Sequence, residues 1–439
     1  MTETPNSLSM FDYDARPVTP QLVLVGNRAS SAGYNIRDFL SRNGVPYDWV
    51  DLEDPEKVRA VVSPSEMDPV RLPICILPNG TRLAPATLED VAAGLGMVSA
   101  PSLSEYDLTI VGAGPAGLAA AVYGASEGLR TLAIEAIAPG GQAGTTSMIE
   151  NYLGFPQGIS GSELATRATA QARRFGAEIL LARHLVDLSR DGPGYVAHLS
   201  DGTSVRARAT VVASGVEWRR LEIPGLDDLL GSGVYYGAGP SEAVTCTGCR
   251  VAVIGGGNSA GQAVVRFSRY AAHVSLLVRG SSLEASMSQY LISQVSTLPN
   301  VEVRTNTELV ELESDQYLRG LIVSSGKGGV RSRLPADALF VCIGGVPRTQ
   351  GTAEVGIALD AAGYIRTGGD VSLSTAGLNG WPLARHPLPL ETNLPGLFAC
   401  GDVRSGSIKR CAAAIGEGSM SVALVHQRLA EVGGEFDQT

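Results

Sequence analysis

Two glycine-rich turns carry the residues best suited to chemistry in this chain, and that chemistry is the binding of pyrophosphate. The first, Gly112-Ala113-Gly114-Pro115-Ala116-Gly117, fits G-x-G-x-x-G. Gly112 permits the sharp turn, Gly114 lets the backbone approach a pyrophosphate, and Gly117 lets a helix pack on a strand. The backbone N–H groups that open such a helix, with its positive dipole end, receive the phosphates. Glu135 follows at the distance where a carboxylate accepts hydrogen bonds from an adenosine ribose. The second turn, Gly255-Gly256-Gly257-Asn258-Ser259-Ala260, fits G-x-G-x-x-A. Two such turns in one chain provide for two dinucleotides.

Each turn needs a strand before it and a helix after it, and the flanking sequence supplies them. Leu108-Thr109-Ile110-Val111 reads as a buried parallel strand, an alanine-rich stretch to about Ser126 as a helix, and Thr131 to Glu135 as a second strand. Val251 to Ile254 and Val274 to Val278 play the same parts around the second turn. The latter strand runs into Val278-Arg279-Gly280-Ser281-Ser282 with no carboxylate. A carboxylate there selects the 2′-hydroxyl of NADH, whereas Arg279 with hydroxyls such as Ser281 suits the 2′-phosphate of NADPH.

The totals bound the rest. A chain of 439 residues has room for two to four domains. Its net charge of −10 argues against nucleic acid or an anionic membrane as a partner. No apolar run reaches the roughly 18 residues of a membrane span, and the polar, acidic N-terminus lacks the character of a secretory signal. Six scattered cysteines make no disulfide framework, so a reducing cytoplasm is the expected compartment. Histidine spacing indicates no metal site.

Residues 1–17 read as a disordered tail and 18–97 as a first α/β unit. Leu22 to Gly26 is a strand, Tyr34 to Arg42 a helix, Tyr47 to Leu52 a strand, Pro73 to Gly80 a strand with a turn, and Leu88 to Leu95 a helix. This unit resembles a glutaredoxin or thioredoxin fold, and the resemblance makes Pro73 the family's cis-proline. The family's dithiol positions fall on Ser30 and Gly33, so the unit cannot perform dithiol exchange, which requires an attacking thiolate. A docking module and a vestigial domain that merely packs on its neighbour are the two readings of it.

After Glu135 come Ala138-Pro139-Gly140-Gly141-Gln142-Ala143-Gly144, Thr146, Glu150-Asn151-Tyr152 and Gly154-Phe155-Pro156. With Thr210-Val211-Val212-Ala213-Ser214-Gly215 and Leu397-Phe398-Ala399-Cys400-Gly401-Asp402, this pattern resembles the low-molecular-weight thioredoxin reductases and their flavoprotein relatives. The resemblance covers about residues 105–439. It implies two doubly wound nucleotide-binding domains behind the N-terminal unit: an FAD domain of residues 105–220 and 348–439, and an NAD(P)H domain of residues 221–347. It assigns FAD to Gly112, Gly114, Pro115, Ala116, Gly117, Glu135, Gly141, Gln142, Thr146, Asn151, Ala213, Gly215, Gly401 and Asp402. NADPH falls to Gly255, Gly257, Asn258, Ser259, Ala260, Arg279, Ser281 and Gly344. Arg279 matches the first arginine of the family's HRR motif, while Gly280 and Glu284 depart from the later arginines. Lys409, Arg410 and Cys411 are placed at the flavin's pyrimidine edge, where a cation stabilises negative charge on reduced flavin. A homodimer is also implied.

Thioredoxin reductases carry C-x-x-C just after a tyrosine at the start of the NADPH domain. Here the stretch is Val234-Tyr235-Tyr236-Gly237-Ala238-Gly239-Pro240, with Gly237 and Pro240 in place of the cysteines. The expectation is therefore an NADPH- and FAD-dependent oxidoreductase whose electrons leave the flavin directly for a small-molecule or protein acceptor. The expected interdomain arrangement is fixed, with open nicotinamide access. Two readings compete: a disulfide reductase using Cys246 and Cys249, a C-x-x-C abutting the strand that begins at Val251, and a flavin-holding sensor or assembly protein without turnover.

Overall fold

The computed structural model describes residues 22–436 apart from 28–29, 64–67, 98–99, 147, 238–242, 244, 316, 327–328 and 373–380. The expected N-terminal tail and Pro240 lie outside the described residues. Among those described, no helix is long and apolar enough to cross a membrane.

The N-terminal unit is built of β1 (Leu22–Gly26), α1 (Ser31–Arg42), β2 (Tyr47–Asp51), α2 (Pro55–Val61), β3 (Ile74–Ile76), β4 (Arg82–Leu83) and α3 (Leu88–Gly94). Its sheet runs β2-β1-β3-β4, with β1 parallel to β2 and the other pairs antiparallel. Ile36, Phe39 and Leu40 of α1 are buried against Leu22 and Leu24. The Leu72–Pro73 bond is cis, and so is Ala84–Pro85, which the sequence did not announce. Ser30 and Gly33, at the dithiol positions of the resemblance, are engaged in capping: Ser30 Oγ accepts from the Gly33 N–H at 3.3 Å.

The next layer comprises β5 (Glu105–Val111), α4 (Pro115–Ser126), β6 (Thr131–Ile134), α5 (Gly141–Gly144), α6 (Gly161–Arg174), β7 (Glu178–Leu180), β8 (Leu185–Asp191), β9 (Gly194–Leu199) and β10 (Ser204–Val212). Strands β7-β6-β5-β10 are parallel neighbours, and β10 also pairs with a later parallel strand, Leu397–Ala399. The order reverses on either side of β5, so the first glycine turn opens at the crevice where such sheets bind ligands. The strand expected at Thr210 is the end of the longer β10, whose first half pairs with β9.

Strand β11 (Val216–Trp218) leads into the second lobe: β12 (Val234–Tyr236), β13 (Arg250–Ile254), α7 (Asn258–Phe267), β14 (His273–Leu277), α8 (Gln289–Thr297), β15 (Val301–Arg304), β16 (Thr307–Ser314), β17 (Leu318–Ser325), β18 (Val330–Pro335) and β19 (Ala338–Val341). Its parallel sheet runs β12-β19-β13-β14-β15, with β16-β17-β18 as an antiparallel appendage. The chain returns through β20 (Gly345–Pro347), which pairs antiparallel with β11 to form a two-stranded ribbon between the lobes. The remaining elements are α9 (Gly369–Ser372), β21 (Leu397–Ala399) and α10 (Cys411–Phe436).

One buried ion network fixes the approach to β21. Glu391 has no solvent exposure. It accepts from Arg385 at 2.6 and 3.1 Å and from the Leu388 and Gly396 N–H groups, both at 2.9 Å. Arg385 also reaches Glu431 of α10. Removing the arginine strands a carboxylate without its counterion, and Arg385→Met is expected to cost about 3–5 kcal/mol in denaturant-monitored unfolding. A loss below about 1 kcal/mol would show that the network is dispensable.

Candidate functional site

Both glycine turns are made by the same steric device. Gly112 has φ +102°, and a Cβ on it would lie 2.5 Å from the Ala213 carbonyl oxygen. A Cβ on Gly117 would lie 1.8 Å from the Gly112 oxygen, so the glycine lets α4 sit directly on β5. Gly114 differs. Its φ of −70° suits any residue, and the nearest atom to an added Cβ is 3.9 Å away. Neither the backbone nor the packing demands a glycine there; its bareness serves the cavity. In the second turn, Gly255 (φ +147°) would place a Cβ 2.3 Å from the Cys342 oxygen. The third position is the fully buried Ala260, and Gly257 again has open space, its closest neighbour being Ser286 oxygen at 3.7 Å.

The first turn opens into a cavity of about 1750 Å³. This exceeds the usual range for a small ligand, about 300–1000 Å³, and suits an extended dinucleotide. Gly112, Gly114, Pro115, Ala116, Glu135, Gly141, Gln142, Ala213, Gly215, Gly401, Asp402, Lys409, Arg410 and Cys411 all line it. Gly117 lies beneath the turn. Thr146 lines a smaller neighbouring crevice of about 140 Å³, while Asn151 is exposed and borders neither.

Glu135 is buried, with one carboxylate oxygen accepting from the Ala113 N–H at 2.8 Å and the other from the Ile137 N–H at 2.9 Å. A carboxylate has about four lone-pair sites, so it retains capacity for ribose hydroxyls while it holds the turn. Gln142 donates to the Val216 carbonyl at 2.7 Å, tying the cavity wall to the interlobe ribbon. Across the cavity, Glu417 accepts from the Gly401 N–H at 2.7 Å and pairs with Arg404. Gly418 brings α10 against α4, since a Cβ there would meet the Ala116 oxygen at 2.1 Å. These contacts fix Asp402, whose carboxyl burial raises above the usual range, with Lys409 opposing the shift.

Lys409 Nζ donates to the Asp402 carbonyl oxygen at 2.5 Å and to Ser407 Oγ at 3.0 Å, and lies 4.3 Å from the Tyr364 ring centre. Burial lowers its pKa. Burial pushes the Cys411 thiol up to about 11, so at neutral pH it is a thiol rather than a nucleophilic thiolate. Cys246 is packed in the second lobe's core, and Cys249 abuts β13 with its pKa raised by burial and by Asp337; neither lines the cavity. None of the six cysteines forms a disulfide.

In the second lobe, Ser259 borders the smaller crevice, together with Gln142, Thr146, Trp218 and Gly237. Asn258 accepts from the Ser288 N–H at 2.7 Å, bracing the start of α8. Arg279 and Ser281 are exposed beyond β14, and Arg279 lies 4.0 Å from Glu308. Gly344 lies in the interlobe linker, where its carbonyl accepts from the Arg219 N–H at 3.0 Å, and it borders neither cavity.

Other lining residues were not legible in the sequence. Trp218 borders both cavities, Tyr235 and Tyr236 border the larger, and Tyr34, Asp38, Arg42 and Asn43 of the N-terminal unit form part of its wall. The signal that could have found the α1 residues is the recurrence of Tyr34, Asp38 and Arg42 at helical spacing.

The bare backbone at Gly114, the helix start at Pro115 and the ribose-suited carboxylate fit the expected FAD. The turn before α7 fits a second dinucleotide. Gly114→Ala is expected to leave apoprotein Tm within about 2 °C while weakening FAD binding about tenfold or more. Gly117→Ala is expected to lower Tm by several degrees. Calorimetry and FAD titration of the two apoproteins distinguish the roles.

Residues 106–418 match the pyridine nucleotide-disulphide oxidoreductase family. The chain is 35% identical over 321 residues to the thioredoxin reductase of Streptomyces coelicolor, covering 71% of this chain and 90% of that one. It is 33% identical over 324 residues to the Listeria monocytogenes thioredoxin reductase, covering 72% and 91%. Among solved structures, the FR conformation of Lactococcus lactis thioredoxin reductase superposes with a TM-score of 0.66 at 26% identity, covering 74% of this chain and 99% of that one. The matched residues begin after the N-terminal unit, which is an α/β extension to the shared part.

Proposed function

The chain belongs to the pyridine nucleotide-disulphide oxidoreductase family, as a flavoprotein oxidoreductase of the thioredoxin reductase kind, and on that footing we propose an NADPH-dependent enzyme that reduces its acceptor without a dithiol relay. Family members bind FAD and a pyridine nucleotide, and both glycine turns have the open backbone such ligands need. FAD, when bound, supplies a two-electron carrier between the reduced nucleotide and the acceptor. The chain's residues bind and orient the two dinucleotides, Glu135 and Asp402 on one side, Arg279 and Ser281 on the other. Lys409, Arg410 and the Cys411 thiol border the larger cavity.

The observation that carries this reading is at Gly237, where the family pattern has its first cysteine. The residue has φ +79°, and a Cβ would lie 2.8 Å from the Trp218 ring. The indole occupies the space a cysteine side chain would need. The interior packing of Cys246 and the raised pKa of Cys249 argue against a substitute pair. The acceptor is then a small molecule or a partner protein that reaches the flavin itself. We further propose a homodimer and a thioredoxin-like N-terminal unit that does no thiol chemistry.

Anaerobic addition of NADPH to the FAD-loaded protein is expected to bleach the flavin absorbance. Reoxidation by oxygen, quinones, ferredoxin and disulfides then identifies the acceptor class. The double variant Cys246→Ser, Cys249→Ser is expected to keep turnover within about twofold of the parent. A collapse of disulfide-linked turnover in that variant would instead establish Cys246 and Cys249 as the relay. Flavin that neither NADPH nor NADH bleaches would favour a non-catalytic holder.

A further inference from the structure

Helix α1 lies outside the part of the chain shared with the family, yet its polar side faces the cavity. Ser31, Tyr34, Asn35, Asp38 and Arg42 recur at helical spacing and all line it. The opposite side, Ile36, Phe39 and Leu40, is buried in the N-terminal unit's own core. A polar helix stripe usually faces water; this one faces a dinucleotide-sized crevice.

The last turn of α1 stands over the first glycine turn. Arg42 Nη2 donates to the Gly141 carbonyl at 2.9 Å. Gly141 in turn is the backbone nearest Gly114, its Cα lying 3.9 Å from an added Cβ there. The neighbouring Asn43 side-chain amide donates to the Ile137 carbonyl at 3.1 Å, two residues beyond Glu135. Arg42 is positioned from within the helix by Asp38, 3.6 Å away one turn earlier. These bonds use part of a guanidinium that has five N–H donors, leaving others to face an anion.

We propose that α1 roofs the pyrophosphate end of the cavity and that Arg42 answers the pyrophosphate charge, making the N-terminal unit an integral part of the cofactor site. This rests on the assignment of the cavity to FAD. The phosphates at the start of α4 meet backbone N–H groups on one side and the Arg42 fork on the other. Charge-assisted bonds of this kind are the strong ones, and Arg geometry matches phosphate oxygens.

The test is titration of the full-length apoprotein with FAD, and by competition with ADP, which carries the pyrophosphate and adenosine alone, at low and high salt. Arg42→Gln keeps a donor for the Gly141 carbonyl but removes the charge. It is expected to weaken both ligands about tenfold or more and to flatten the salt dependence. Arg42→Lys, which keeps the charge and loses the fork, is expected to bind both ligands more weakly than the parent and more tightly than Arg42→Gln, with its salt dependence kept. Asp38→Asn, which relieves the cation of its internal partner, is expected to tighten ADP binding. Unchanged affinity in Arg42→Gln, a loss without a change in salt dependence, or unchanged or weaker binding in Asp38→Asn overturns the roof. A parent that binds neither FAD nor ADP overturns the assignment of the cavity instead. Should Arg42→Gln fail to fold, the Arg42→Lys and Asp38→Asn titrations decide the question.

Discussion

Close approach of backbone to backbone is the constraint on which this structure depends. At Gly117 helix α4 stands nearer to the end of β5 than any side chain allows, at Gly112 the turn does the same to Ala213 after β10, and at Gly418 helix α10 does the same to α4. That proximity puts the unpaired N–H groups at the start of α4 on the floor of the cavity, with Gly114 bare above them. Glu135 then takes on two tasks, bonding the turn at the Ala113 N–H and presenting its remaining lone pairs to the cavity. The second lobe repeats the device at Gly255 and Ala260, where the interior again excludes a larger residue and the open position faces outward.

The sequence disclosed what is local. Both strand–turn–helix units, the acid after the first and the arginine after the second follow from residue type and spacing, and the structure forms the strands and helices where the apolar runs place them. Pro73 is cis, and Ser30 and Gly33, which lack thiols, serve instead as a helix cap. Less legible was anything that depends on how the units meet. Helix α2 and strand β4 are too short to leave a periodic signal. Asn151, expected at FAD, and Gly344, expected at NADPH, border neither crevice. The Arg42 contact with Gly141 joins residues 99 positions apart, and no pattern within a window of ordinary length encodes that.

Gly237 and Trp218 show packing and backbone conformation excluding a side chain together. Emptying a position of its side chain normally leaves a hole, and interiors do not keep holes. Here the indole of Trp218 lies against the glycine, and the positive φ makes the backbone itself unsuited to a cysteine. The accommodation reaches the ribbon between the lobes, because Trp218 is the last residue of β11 and Gln142 is bonded to Val216 at its start.

That ribbon is the pair of strands through which the chain passes from one lobe to the other and back, and a ribbon of two strands resists torsion poorly. The N-terminal unit supplies a strut alongside it. One end of α1 is fastened to the first lobe through Arg42 and Asn43. Toward its other end, the Tyr34 ring lies 6.1 Å from that of Tyr235 in the second lobe, and Tyr317 of the second lobe donates to Glu53. With a body in contact at separate points on both lobes, any change in their relative placement has to break or carry along these contacts as well as bend the ribbon.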